Sequence, residues 1–388
     1  MLSVLEWIFW SSVASVALGL FGYPALLALS WPLARRRRIF DTSERRVTLI
    51  VAAFNEESVI AQKLENCMQL DYPGERLQIV VASDGSTDRT NQIVESYRNC
   101  GIELASFARV GKTGVQNRVA ATAQGEILVF SDANAMYRPD AIRKLVRNFA
   151  DPRVGGVCGQ LVYAVKGGGA GAAENAYWSY EKFMKQRESD LSSTIGANGS
   201  IYAVRRSDYV EIDTDMISDL VEPLALVQAG KRVVYESEAV SVEEGSSDYG
   251  MEFRRKVRIL TRSIRGLQRM RALLNPFRYR LFAVQLIVHK LLRFLTPMFL
   301  VSGAVAWAWL AVLGRYLVLF VAAAVLATLV VLVARRKARG QANIVERACH
   351  LGYYYLMVNY ALLLAWVRVL SGKRMTQWAP ERARSTSA

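Results

Sequence analysis

The chain has 388 residues, 52% of them hydrophobic, with a formal net charge of +15 and a pI near 9.8. Its four cysteines (Cys67, Cys100, Cys158, Cys349) lack metal-ligand spacing and are expected to be reduced thiols, and both histidines, His289 and His350, fall in membrane-proximal stretches. A His-based metal site and a Ser-His-Asp triad are therefore excluded from the central polar region. The basic balance would suit nucleic acid, but much of it lies beside apolar segments, where anionic headgroups attract each basic residue by ~1 kcal/mol; anionic lipids, and no nucleic acid, are the expected partners.

Leu2 to Trp31 carries one charge, Glu6, and is followed by Arg35, Arg36, Arg37 and Arg38. About 20 apolar residues cross a bilayer core, and basic residues crowd the cytoplasmic end of a span. Residues 1–34 thus read as a transmembrane helix, kinked at Pro24, with the following domain in the cytosol. A signal peptide fits less well, because the stretch is long and its basic cluster follows instead of preceding.

Residues 46–250 alternate strand and helix. Val47–Phe54 is a strand ending at Asn55 and Glu56; a helix runs from Ser58 to about Leu70. Gln78–Ala82 is a second strand, ending in Asp84 to Asp88, with a helix to about Tyr97. Ile102–Phe107 is a third, followed by a helix over 114–123, and Glu126–Phe130 a fourth, ending at Asp132 and Asn134. Alternation implies right-handed crossovers and a mostly parallel sheet. Gly167–Gly171 lacks the strand-to-helix setting of a phosphate loop and reads as a linker. Leu220–Ala229 is helical.

Over 251–295 two amphipathic helices are expected on the membrane surface. Phe253, Val257, Leu260, Ile264, Leu267 and Leu274 recur at helical spacing among eight Arg or Lys residues, and Leu281–Leu295 sets Gln285, His289 and Arg293 on one face. Both anchoring and acceptor binding suit such helices. Within 296–388, Phe294–Leu313 and Tyr316–Ala334 are spans, and Arg335, Arg336, Lys337 and Arg339 mark a return to the cytoplasm. Leu351–Leu370, interrupted by Asn359, crosses or lies in the interface; the basic tail (Lys373, Arg374, Arg382, Arg384) favours a cytoplasmic C-terminus, which conflicts with a fourth crossing. A multi-pass protein of the plasma (inner) membrane follows.

Ligands of parallel sheets bind beyond the carboxyl ends of the strands. Asn55 and Glu56, Asp84 to Asp88, and Asp132 to Asn134 all fall there. Each cluster alone is equally a loop or helix cap; three together point to a site. Asp132 and Asn134, two apart, can reach one divalent ion that phosphate oxygens complete. Asp84 suits a base or ribose. Lys112 either meets phosphate as a point charge or is an ordinary solvated lysine before a helix.

The chain resembles a membrane-integrated family-2 glycosyltransferase of GT-A fold, in its polysaccharide-synthase and glycolipid branches. The resemblance rests, in order, on Val51 to Glu56, Ser83 to Asp88, Gly111 to Asn117, Phe130 to Asn134, Gly196 to Gly199, Ile217 to Asp219 and Gly230 to Ala239. It implies a mixed, mostly parallel sheet flanked by helices, a nucleotide-sugar donor, and Mg2+ or Mn2+ as cofactor. It assigns Asn55, Glu56, Asp84, Lys112 and Asp132 to the donor, and Asp132 with Asn134 to the metal, although Asn134 stands where the family's motif has a second Asp. Asp219 matches the general base; a helix N-cap is its bland reading, and Glu222, one turn on, is the alternative base. Long-chain synthases carry a QxxRW motif. Here Arg255, Arg258 and Ile259 occupy its first, fourth and fifth places, so Arg258 keeps a diphosphate or acceptor role, with Arg255 beside it, while the stacking Trp is lost. Limited transfer to a lipid-linked or membrane-associated acceptor is expected, with a processive polysaccharide synthase as the alternative. Outside enzymes, an inactive nucleotide-sugar sensor or scaffold subunit is the competitor, which Asp84, Asp132 and Asp219 together disfavour.

Overall fold

The computed structural model describes residues 2–30, 39–164, 169–244, 249–335 and 343–372. The basic runs over 35–38, 336–339 and 373–384, and the first half of the expected 167–171 linker, lie outside them.

Helix α1 (Leu2–Ala17), a π turn (Leu18–Gly22) and α2 (Tyr23–Ser30) form one rod. The π turn sits just ahead of Pro24, whose ring nitrogen has no N–H for the helical ladder. The central domain then runs β1 (Val47–Ala53), α3 (Ile60–Met68), β2 (Leu77–Asp84), α4 (Thr90–Ser96), β3 (Ile102–Phe107), α5 (Lys112–Thr122), β4 (Ile127–Asp132), β5 (Met136–Tyr137), α6 (Ala141–Val146), β6 (Val154–Ala164), α7 (Gly169–Leu191), β7 (Tyr202–Arg205), α8 (Ser218–Gln228) and β8 (Arg232–Glu244). Gly169 thus opens a helix instead of continuing a linker.

The strands form one sheet in the order β3-β2-β1-β4-β7-β6-β8-β5. β3, β2, β1 and β4 are mutually parallel, whereas β7 is antiparallel to both β4 and β6. The register sets Ala53 beside Ser83 and Ala52 beside Asp132, so the polar ends of β1, β2 and β4 emerge along one edge. β1 is buried on both faces, as a central parallel strand must be. One face packs on α3, α4 and α6 through Ile60, Leu64, Val94 and Ile142; the other packs on α5 and α8 through Val115, Val119 and Leu226.

A third core fastens this domain to the apolar helices. Helix α9 (Tyr249–Arg269) lays Ile264 and Leu267 on Leu220, Val221 and Leu224 of α8. The contact is close: a methyl at Gly266 would stand 2.5 Å from Val221 Cγ2. Helices α10 (Pro276–Leu286) and α11 (Leu292–Val312), joined by a second π turn (Ile287–Leu291), and α13 (Ile344–Leu370) add Phe282, Phe294 and Leu362 to this core. Helix α12 (Leu317–Arg335) stays largely exposed. Four helical stretches, Leu2–Ser30, Pro276–Val312, Leu317–Ala334 and Ile344–Leu370, are long and apolar enough to cross a membrane.

A second element differs from the sequence expectation. Leu281–Leu295 is not a separate surface helix; it continues into α11. Its polar face is buried, with Gln285 and His289 each only 1% exposed, because α7 meets it: the carboxylates of Glu188 and Glu181 take His289 and Arg293, and the Glu188 carbonyl accepts from Gln285.

Candidate active site

The strand ends open into a cleft of about 1080 Å³ that reaches from Glu56, Lys112, Asp132, Asn134 and Asp219 to Arg255, Arg258 and Ile259 on α9. Its centre is tight. Lys112, first residue of α5, forms an ion pair with Asp132 at the end of β4, and its ammonium donates to the Gly199 carbonyl at 3.3 Å. A methyl at Gly199 would stand 2.7 Å from Asp219 Oδ2 and 3.2 Å from Lys112 Nζ. Glycine here is what lets three charged groups from three elements share one point.

Asp219 lies in the first turn of α8. The backbone explains its position, because the Ala197 N–H donates to the Asp219 carbonyl at 2.6 Å, tying the Gly196–Gly199 loop to the start of α8. Burial pushes the Asp219 carboxyl up; Lys112 and Lys185 pull it back, and the charge of Asp132 adds to the rise. Glu222, one turn along, is absent from the cleft lining and only 1% exposed. Burial holds it well above the usual carboxylate range.

The other expected donor residues separate into two groups. Glu56 lines the cleft, its backbone N–H donating to Thr90 Oγ1 at 2.8 Å. Asn55 and Asp84 do not line it. Asn55 sits at φ 54 and accepts the Thr87 N–H at 2.8 Å, joining the β1 and β2 loops. Asp84 is fully buried; its Oδ1 accepts the Val110 and Gly111 N–H groups at 2.6 and 2.9 Å, which fixes the loop that delivers Lys112. Its Oδ2 is buried with no hydrogen-bond partner among the described residues. Arg255 is ion-paired with Glu252, Nε to Oε2 at 2.7 Å.

Four further residues shape the site. Glu243, near the end of β8, lines the cleft, and burial with the charge of Asp132 pushes it up to about 7 against Arg255 and Lys112. Lys63 is fully buried; its ammonium donates to the Ala135 carbonyl at 2.5 Å and lies 4.1 Å from the Tyr137 ring centre, pinning the loop that carries Asn134. Its signal is a lone lysine at helical spacing with Ile60, Leu64 and Cys67. Arg262 of α9 donates to Thr113 Oγ1 and the Thr214 carbonyl, both at 3.0 Å, and to the Met216 carbonyl; burial lowers its pKa to about 10. His289 also lines the cleft. Sequence spacing kept histidine out of the polar domain, but a membrane-side helix brings it in.

Among the described residues, no group of three or more His, Cys, Asp or Glu side chains is arranged to hold a metal ion. Asp132 and Asn134 nevertheless face the same cleft as Glu243. Two carboxylates on one cleft wall, Glu243 with its proton affinity raised by the charge of Asp132, and an amide alongside are a donor set that fits a hard divalent cation.

Comparison with known proteins agrees with this geometry. Residues 48–212 match the family model described as Glycosyl transferase family 2. The chain is 34% identical over 151 residues to the beta-monoglucosyldiacylglycerol synthase of Synechocystis sp., covering 36% of this chain and 32% of that protein. It is 28% identical over 208 residues to the O-antigen chain rhamnosyltransferase RfbN of Salmonella typhimurium, covering 50% and 65%. The chain thus spans under two thirds of the length of these curated relatives. A solved structure of the mannosyltransferase PcManGT from Pyrobaculum calidifontis, in complex with GDP-Man and Mn2+, superposes with a TM-score of 0.71 at 24% identity, covering 95% of this chain and 100% of that one. The likeness therefore takes in the flanking helices as well as the sheet. Residues 48–212 thus match the family 2 glycosyltransferase model, and the fold is of GT-A type.

Proposed function

We propose that this protein is a membrane-bound inverting glycosyltransferase that moves a sugar from a nucleotide-sugar donor to a lipid-linked or otherwise membrane-associated acceptor in glycolipid or envelope-glycan synthesis. The observation that carries the reading is the meeting of Lys112, Asp132 and Asp219 around Gly199. Asp219 takes the proton of an acceptor hydroxyl, the freed oxygen attacks the anomeric carbon, and the bond from that carbon to the diphosphate breaks. A carboxylate whose proton affinity is raised by burial is the better base. Lys112 and Arg258 bind the departing diphosphate as fixed charges, while Glu56 and the free oxygen of Asp84 belong to the donor side.

Asp132 and Asn134, with Glu243 beside them, would hold a divalent cation, Mg2+ or Mn2+. When bound, that ion neutralises charge on the diphosphate. Lys112, the ion-pair partner of Asp132 in this structure, would serve the same phosphate charge from the other side. The names of the relatives, a glycolipid synthase and an O-antigen transferase, support a membrane-associated acceptor, and Ile259 in place of a stacking Trp supports transfer of one or a few sugars. The four apolar helices and the flanking basic runs support a plasma-membrane location with the catalytic domain in the cytoplasm.

Membranes carrying the protein, incubated with a panel of radiolabelled nucleotide sugars and then partitioned between organic and aqueous phases, test this directly. Label in organic-extractable material bearing one or a few sugars is expected. High-molecular-weight polymer made by the purified protein alone would establish a processive synthase instead, and label confined to small water-soluble sugars would overturn both.

A further inference from the structure

The cleft does not stop at Asp219. It continues toward the apolar helices, where Lys185, Lys290, Arg293, Phe294, Val358 and Leu362 line it. Three cations from α7, the π turn and α11 therefore share an end of the cavity with apolar side chains of α11 and α13.

The neighbouring carboxylates are already engaged. Glu181 accepts Arg293 at 2.5 Å and lies 3.6 Å from His289 Nε2. Burial pushes Glu181 up, but Arg293 and His289 outweigh it and hold the carboxyl well below its usual range. Glu188 is fully buried and takes the Tyr23 hydroxyl at 2.8 Å and His289 Nδ1 at 2.6 Å. The Lys185 ammonium reaches only uncharged partners, the Gly196 carbonyl at 3.3 Å and Cys158 Sγ at 3.7 Å. Lys290 makes no hydrogen bond or ion pair with a described residue. An ammonium on a half-apolar wall without an acceptor is costly, and an anion with a hydrocarbon tail satisfies both kinds of surface. Lys290 also stands on a π turn, a helix irregularity common at functional sites, and Lys185 lies close enough to Asp219 to act on its charge.

We propose that this end of the cleft binds the phosphate or diphosphate headgroup of a lipid, with its chain along Phe294, Val358 and Leu362, so that the acceptor is a phosphate-bearing lipid and not a neutral one. This rests on the glycosyltransferase reading above and deepens it by naming the acceptor class.

The test uses the full chain in neutral detergent, without donor, titrated with a fluorescent single-chain lipid monophosphate, the same lipid ending in a hydroxyl, and inorganic phosphate as competitor. The lipid monophosphate should bind roughly tenfold or more tighter than the alcohol, the scale of one charge-assisted hydrogen bond. Lys290→Gln should erase that preference and Lys290→Arg should retain it, with melting temperature as the check on folding. Equal binding of the two lipids by the native protein would overturn the proposal whatever the variants do. So would a preference undiminished in a folded Lys290→Gln protein. Displacement by inorganic phosphate at concentrations as low as the lipid's own would mark a free-phosphate site and overturn the lipid assignment. Because no donor is present, failure here leaves sugar transfer to a neutral lipid intact, and failure of transfer leaves this binding result intact.

Discussion

The two walls of the cleft are held in place in opposite ways. At the strand ends, side chains are positioned by backbone. Asp84 ties down the loop before Lys112 through two N–H groups, and the Asp219 carbonyl receives the Ala197 N–H. On the helix side, side chains hold one another: Glu188 with Tyr23 and His289, and Glu181 with Arg293. Hydrogen bonds to backbone survive many neighbouring substitutions, whereas breaking one partner of a buried ionic pair costs about 3–5 kcal/mol. The wall assigned to chemistry is thus locally determined, and the wall on the apolar helices depends on distant segments meeting.

The largest effect should come from the strand-end wall. Asp132→Ala should abolish transfer while leaving the melting temperature nearly unchanged, since a strand-end carboxylate still 28% exposed supports no core; full activity in excess chelator would remove the metal from this account. Next, Asp219→Asn, nearly isosteric but unable to take a proton, should lower turnover by roughly 100-fold or more with donor binding preserved. If Asp219→Asn turns over normally and Glu222→Gln does not, the base has been misassigned. A smaller loss is expected of Gly199→Ala. Its methyl must push Asp219 or Lys112 aside, and misplacement on that scale costs about 10- to 100-fold in rate with the fold intact.

The mildest effect concerns pH. Glu222 in the folded protein keeps its proton well above its ordinary value of 4.5, so the folded state binds more protons than the unfolded chain as pH rises past that value. Its contribution to stability is complete at lower pH and is lost upward, by at most about 1.4 kcal/mol per pH unit. Melting temperatures between about pH 5 and 8 should therefore fall less steeply in Glu222→Gln than in the native protein. Equal slopes would show that Glu222 is ionised in the fold.

The same contrast explains how much could be read beforehand. Apolar runs at Val47, Gln78 and Ile102 placed three of the four parallel strands closely, and the acids that follow them fell on the edge expected, because strand periodicity and strand-end polarity are local properties. β6, β7 and β8 escaped notice: their pairing is partly antiparallel and spans long separations, and with β8 went Glu243. The spacing of Gln285, His289 and Arg293 revealed a polar face on its helix. What that face meets lies about a hundred residues away on α7 and much farther away on α2, which no local pattern encodes. Asn55 and Asp84 look like ligand residues in sequence, and in the structure each also holds a loop, since Asn and Asp serve both tasks with the same atoms.

The close seating of α9 on α8 bears on how the protein can be dissected. Leu220, Val221 and Leu224 are covered by α9, α10 and α13, and Arg262 reaches across to Thr113, beside Lys112. A fragment trimmed to the sheet and its immediate helices would expose that apolar strip and loosen the start of α5 at once. Solubility and activity would be lost together, so the catalytic unit of this molecule is the whole assembly of sheet and apolar helices, and a preparation that keeps those helices is the smallest one in which its chemistry can be studied.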